Sequence, residues 1–302
     1  MTATRSRAIS PRAFGTLLLM ACMFGGNHVA ARFALDHGAD VATAVTVRSL
    51  GTAAVVALIV WRARIPLRLN RRQRQVMPLI GVLVAVQSLW LYSAVARIPV
   101  GLALLAFNTY PLWTALAAWL LYRHRPERAI LIAMPLILVG LTLALDATGA
   151  ASGVGAAAQW GLIGSGVVFA LAGAAAFGLV LALTQHEVAD LDGRLRTALT
   201  MALVGVLALL GTFTQGGLHW PNASPGWWGL ALLTLLYGTA FTIMFTLLPK
   251  LGVVGSSPIL NVEPVAALAM GWLLLGQTIS AIQGVGALLV VATVMALGLR
   301  RR

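Results

Sequence analysis

The 302-residue chain has almost no cysteine and little charge. Its single cysteine, Cys22, excludes an internal disulfide framework and any zinc or iron–sulfur centre built from cysteines. Charged residues make up 10% of the chain against 60% hydrophobic, and the mean hydropathy is +0.91. That balance excludes an ordinary soluble domain and indicates an integral membrane protein. No Walker P-loop is found, so direct ATP hydrolysis has no support. His186-Glu187-x-x-Asp190 lacks the second histidine of a zinc-protease helix. Paired catalytic groups at membrane depth are missing too, so neither an enzyme nor a cofactor is expected. No stretch is biased enough in glycine or proline to be a flexible linker.

What the chain has instead is apolar runs. A helix crossing roughly 30 Å of hydrocarbon needs about 20 apolar residues. Division at charges and turn residues predicts ten spans: 13–34, 41–61, 76–96, 99–122, 129–146, 158–184, 196–215, 227–248, 253–275 and 279–299. Short connections such as Arg97-Ile98-Pro99 make consecutive helices antiparallel neighbours. The first run is kept as a span rather than a cleaved signal, because its loss would leave nine helices and spoil the repeat described next.

Acidic residues are the scarcer charge, 8 against 21 basic, for a net +13. All the basic residues except Arg32, Arg48 and Arg97 fall in the termini or in alternate loops, including Arg62 to Arg74, Arg123 to Arg128, Arg194, Arg196 and Lys250. By the positive-inside rule these loops and both termini are cytoplasmic. The excess is thus topology, and no basic, aromatic-interleaved surface remains for nucleic acid.

A shift of 153 residues pairs Asn108-Thr109-Tyr110-Pro111 with Asn261-Val262-Glu263-Pro264. Each Asn-x-x-Pro lies in the fourth span of a five-span half. Because five is odd, the halves 1–150 and 151–302 have opposite topology, the inverted-repeat plan of secondary transporters with a site near the midplane. Pro111 and Pro264 each remove a backbone donor, free the carbonyls of Phe107 and Leu260, and bend their helices. A freed carbonyl in hydrocarbon needs a partner or a wet cavity, and Asn108 and Asn261 bring polar groups to that place. These two prolines are the expected hinges.

Several side chains are candidates for such a cavity. Most of the tryptophans sit near span ends, as interfacial indoles do, but Trp90 and Trp113 lie deeper. Gln87 and Trp90 share a helix face. Together with Tyr92, Tyr110 and Tyr237 they would accept a flat apolar group by stacking, or else pack against lipid. Glu263 is the only acid near the middle of a span, where charge is costly and usually functional. It is expected to hold an ammonium group or carry a proton, with His28 as a second titratable candidate beside Asn27. Arg32 and Arg48, toward the outer ends of spans one and two, read as helix anchors or partners of Asp36 or Asp40. For Arg48, a carboxylate at the outer mouth is the alternative. The small-residue run Ala172 to Gly178 reads as close packing or a smooth cavity wall.

The ten-span inverted plan, the Tyr110-Pro111-Leu112 and Glu263-Pro264-Val265 blocks and the closing Trp272-Leu273-Leu274-Leu275-Gly276-Gln277-Thr278 resemble the EamA-type drug/metabolite transporter superfamily. Gly25-Gly26-Asn27-His28-Val29-Ala30 and Arg48 match its N-terminal half. Gln277 is a departure, since the family usually has an acid there. Within the superfamily the chain is most similar to YddG-type exporters. That resemblance implies efflux of aromatic or large apolar amino acids across a bacterial inner membrane. The alternatives are a permease of the same fold for another small molecule, and a channel. The expected partners are the substrate and the lipid bilayer. The oligomeric state is not legible.

Overall fold

The computed structural model describes residues 11–126, 128–247, 258–278 and 280–300. Every regular element among them is a helix: α1 (Pro11–Asp36), α2 (Val41–Arg62), α3 (Arg71–Arg97), α4 (Val100–Phe107), α5 (Tyr110–Tyr122), α6 (Arg128–Ala144), α7 (Ala156–Glu187), α8 (Gly193–Phe213), α9 (Ser224–Thr246), a 3-10 turn (Pro258–Val262), α10 (Glu263–Leu275) and α11 (Ala281–Arg300). Seven stretches among the described residues, with α4 and α5 taken together, are long and apolar enough to cross a membrane. Arg128–Ala144, Glu263–Leu275 and Ala281–Ala296 are apolar but shorter. The start of the ninth expected span, 253–257, lies outside the described residues, as do Arg5, Arg7 and Lys250.

Polar caps set several helix starts. Asp40 accepts the Thr43 N–H at 2.6 Å to open α2. Asn70 and Gln73 satisfy each other's backbone N–H groups in a capping box at α3. Asp192 accepts from the Arg194 N–H at α8. Each holds an amide that the first helical turn would otherwise leave unpaired.

The fourth span is broken rather than bent. α4 stops at Phe107, and the Thr109 hydroxyl donates to the Ala106 carbonyl at 2.8 Å. A new helix then begins at Tyr110, which makes Pro111 its second residue. A proline in the first turn has no intrahelical acceptor to lose, so it starts a helix instead of kinking one. Pro264 occupies the same place in α10, after the 3-10 turn.

These equivalences extend along the chain. α3, α5 and α6 begin at Arg71, Tyr110 and Arg128, and α9, α10 and α11 begin 153 residues later at Ser224, Glu263 and Ala281. α5 and α10 are both 13 residues long, enter through residues with φ of −72° and −74°, and end on left-handed residues, Arg123 (φ 59°) and Gly276 (φ 64°).

Packing follows the same rule. α2 packs on α8 and α6 on α11, each helix on its own counterpart, while α1 on α9 mirrors α3 on α7 and α1 on α10 mirrors α7 on α5. These pairings are kept when the halves are exchanged, whereas α1, α2 and α3 touch one another more closely than α7, α8 and α9 do. α6 and α11 touch backbone to backbone at two glycines, where a methyl on Gly140 would lie 3.0 Å from the Gly286 carbonyl oxygen. The perimeter exposes large apolar side chains such as Leu58, Leu131, Phe213 and Leu288, as a surface solvated by lipid should.

Candidate functional site

A cavity of about 410 Å³ lies at the centre of the bundle, walled by α1, α2, α3, α4 and α5 from the first half and α7, α8, α9 and α10 from the second. Larger hollows of about 1010 and 560 Å³ sit on the perimeter, against α2 with α8 and α2 with α9. Their linings are chiefly aliphatic and small, with Trp61, Arg62 and Arg64 or Trp220 and Trp227 at one end, so they are crevices of the outer surface. The central cavity brings His28, Arg48 and Glu263 to one wall system.

Two aromatic groups flank it. Phe24, Tyr237 and Phe241 meet edge to face, with centroids 5.0 to 5.8 Å apart. Phe107, Tyr110 and Phe177 pack at 5.2 to 5.9 Å. Such rings present both edges and faces to a flat guest.

Glu263 is the first residue of α10, where the helix N-terminus favours negative charge. Its Oε1 is 3.4 Å from His28 Nε2. Gly25 permits this approach of α1 to α10, because a Cβ there would stand 2.9 Å from the Glu263 carbonyl oxygen. Behind His28, the Tyr92 hydroxyl donates to Asn27 Oδ1 at 2.8 Å, and Asn27 Nδ2 donates to the Phe24 carbonyl at 3.2 Å.

Arg48 is not an outer anchor. It is 3% exposed, and its Nη1 and Nη2 donate to the Tyr92 hydroxyl (3.2 Å) and Ser88 Oγ (3.1 Å). Its guanidinium carbon lies 4.8 Å from the Tyr92 ring centroid and 4.4 Å from that of Tyr237. The face of α2 that carries it turns inward against α3 and α9, which depth along the sequence does not reveal. Arg32 does pair with Asp36, at 2.8 Å, and also donates to the Val95 carbonyl at 2.7 Å.

The other expected residues divide clearly. His28, Gln87, Asn108, Tyr110, Tyr237, Glu263 and Pro264 line the cavity. Asn27 and Tyr92 are buried behind it as supports. Trp90 and Trp113, 37% and 36% exposed, are not on its wall; Trp113 instead donates to Thr109 Oγ1 at 3.3 Å. Pro111 is likewise off the wall. The backbone of Asn261 belongs to the 3-10 turn, and its side chain lies outside the described part of the structure. Gly178, in the small-residue run, packs α7 closely on Trp113 and Thr114 of α5, and of that run only Phe177 lines the cavity, so its small residues serve close packing.

Sequence reasoning missed Phe24, Phe107, Phe177 and Phe241, and it placed Arg48 at the outer mouth rather than on the central cavity. The repeat shift that pairs the Asn-x-x-Pro motifs also pairs Phe24-Gly25 with Phe177-Gly178, and that signal would have found two of them.

From its centre the cavity runs to Thr184, Arg196, Thr197 and Phe245. That end of the bundle also carries Arg72 paired with Glu187, which accepts from the Tyr122 hydroxyl at 2.7 Å. Contacts tie the helices together at the opposite end. Gln277 Oε1 accepts the Val100 N–H at 3.1 Å, Asp40 meets His219 at 3.0 Å, and the Asn222 N–H donates to the His37 carbonyl at 2.9 Å. The acid that the family resemblance leads one to expect at 277 is thus replaced by a neutral helix cap.

No curated protein matches the chain. One solved crystal structure, described simply as that of a protein, is similar to it with a TM-score of 0.60 and 17% identity, over 96% of this chain and 99% of its own. That likeness concerns the fold. The family model of EamA-like transporters matches twice, over residues 12–145 and 164–299, in register with the repeated helices and covering nearly the whole chain. A multi-pass helical bundle with a central cavity of aromatic, aliphatic and a few polar side chains, matched in both halves by that model, therefore belongs to the EamA-like transporter family.

Proposed function

We propose that the protein exports aromatic or large apolar amino acids across a bacterial cytoplasmic membrane by alternating access. It is a ten-span carrier of two inverted five-helix halves, 1–150 and 151–302, with both termini in the cytoplasm. The observation that carries this reading is the central cavity itself. About 410 Å³ falls within the roughly 300–1,000 Å³ of small-molecule sites. Aromatic groups contributed by both halves flank it, beside a single acid paired with a histidine.

Glu263 has two suitors in this scheme. One carboxylate does not hold a proton and a substrate ammonium at once, so binding of one displaces the other, which is the basis of proton-coupled exchange. His28, 3.4 Å away, is the neighbouring base that takes or returns the proton. Gln87, Asn108, Tyr110 and Tyr237 supply the remaining polar and aromatic wall. The cavity reaches the end that bears the basic loops, which corresponds to an inward-facing state. Pairings that survive exchange of the halves, beside contacts among α1, α2 and α3 that α7, α8 and α9 do not match, support a mirror state facing the other way. The breaks before Tyr110 and Glu263 are the places for the rocking motion.

The test is uptake of labelled phenylalanine and tryptophan into proteoliposomes, with and without a pH gradient. Saturable accumulation that follows the gradient is expected, and Glu263→Gln should abolish the dependence on the gradient. Flux that never saturates, with conductance in planar bilayers, would identify a channel instead. Lack of uptake of either amino acid would remove the substrate assignment.

A further inference from the structure

We propose that Arg48 is a carboxylate-binding subsite of the central cavity, so that the molecules carried are organic acids or zwitterions and not simple amines. The inference deepens the reading above and rests on the cavity being the transport site.

Arg48 carries a full positive charge into the bundle. Among the described residues no carboxylate lies within ion-pair distance of its guanidinium. Asp36, Asp40, Asp146, Glu187, Asp190 and Asp192 stand at helix ends or in loops, and Glu263 meets His28. The partners Arg48 does have are neutral: two hydroxyls and two ring faces. Hydroxyls and rings orient a cation and partly solvate it, but they do not neutralise it. Its Nε–H is buried and has no hydrogen-bond partner. On the wall of the same cavity, Thr200 of the facing helix α8 also has an unpartnered hydroxyl.

The repeat shows that packing does not call for this charge. The residue equivalent to Arg48 by the 153-residue shift is Met201, which is also buried and lines the same cavity. A long apolar side chain therefore fills the twin position on the same scaffold, and the guanidinium is kept for something a methionine cannot do. A planar fork fixed between Tyr92 and Tyr237, with an unused donor, matches a carboxylate. A zwitterion would set its carboxylate at Arg48 and its ammonium at Glu263, and would leave its side chain to the aromatic groups.

The test uses the purified full chain in detergent and four probes that share a phenyl ring: phenylalanine, phenylalaninamide, 3-phenylpropionate and phenethylamine. Ligand-induced shifts in Tm give their relative affinities. The two acids should stabilise the wild type more than the amide and the amine, which keep only the contacts with Glu263 and the aromatic groups. Arg48→Met, which installs the residue of the twin position, should remain folded and weaken 3-phenylpropionate by about 10- to 100-fold, the range for loss of a charge-assisted hydrogen bond. Arg48→Lys, which keeps the charge but not the fork, should fall between. Should Arg48→Met fail to fold, Arg48→Lys takes its place, and an acid preference undiminished in that variant assigns the carboxylate to the other cation of the cavity, Arg196, and overturns the subsite.

Absence of any acid-specific shift in the wild type overturns the subsite, and so does an acid preference that survives in Arg48→Met. The two readings fail separately. If 3-phenylpropionate binds through Arg48 but proteoliposomes do not carry phenylalanine, amino-acid export falls and the subsite stands. If phenylalanine is carried and its amide competes equally, the reverse holds.

Discussion

At the scale of the residue, the cavity is symmetric in shape and asymmetric in chemistry. Arg48, His28 and Glu263 have Met201, Leu181 and Tyr110 as their counterparts under the 153-residue shift, and all six line the wall. Every one of these charged or titratable groups faces an apolar or neutral twin. The phenylalanine–glycine pairs are kept in both halves, because each glycine seats the first turn of a broken-span helix. Gly25→Ala places a methyl 2.9 Å from the Glu263 carbonyl and 3.1 Å from the Ala267 nitrogen, both rigid backbone atoms. Overpacking of this kind costs about 1–3 kcal/mol, so a lower Tm in detergent is expected, along with loss of gradient-dependent uptake as Glu263 moves from His28. Gly178→Ala, which collides with Trp113 and Thr114 in the other half, should lower Tm similarly but leave the gradient dependence in place.

Glu263 was legible in the sequence because a lone acid in an apolar span has few explanations. Azimuth was not legible. Gln87 and Trp90, three residues apart, share a face only to within about 60° on a 3.6-residue helix, and that difference puts Gln87 on the cavity and Trp90 on the perimeter. Arg48, seven residues into α2, lies about 10 Å from the helix start, near enough to water for a snorkelling role had it faced outward. Its real direction depends on α3 and α9.

At the scale of the element, the broken fourth span matters most. Ending α4 after eight residues and starting α5 afresh leaves helix termini near the cavity, where amides and carbonyls are unpaired within their own helix. The start of α4 is capped from the other half, by Gln277 on the Val100 N–H. Gln277→Leu should cost about 0.5–2 kcal/mol, as loss of a helix cap does, and Gln277→Glu should keep the acceptor and most of the stability. Thermal unfolding of the two variants side by side checks this. The Asn-x-x-Pro pair announced an interruption, but proline's dual habit, kinking a helix or starting one, left its kind undecided. The conformation of Thr109 and Val262 decided it.

At the scale of the whole molecule, two matching halves are joined by residues 145–155, and Asp146 organises that joint. Its carboxylate accepts the N–H groups of Ala151 (3.0 Å) and Ser152 (2.9 Å). The Ala151 amide foremost, then the contacts from Ser152, hold the carboxyl below its usual range. A carboxyl depressed in the folded state contributes stability that is present above its unfolded pKa, near 3.8, and is lost as pH falls through the lower folded value. The wild type should therefore lose Tm on acidification below about pH 4. Asp146→Asn should be less stable at neutral pH and lose less over the same range, which a pH series of melting curves would show.

The sequence by itself determined the membrane, the basic side of the bundle, the repeat and the one deep acid. Each of these is written in composition or in linear spacing, which the bilayer reads one helix at a time. The tertiary structure decided which faces turn inward, because a helix face acquires a meaning only against its neighbours. Packing of α2 against α3 and α9 made an arginine at moderate depth into an unneutralised cation in a central cavity. Packing of α3 and α5 sent two deep tryptophans to the perimeter.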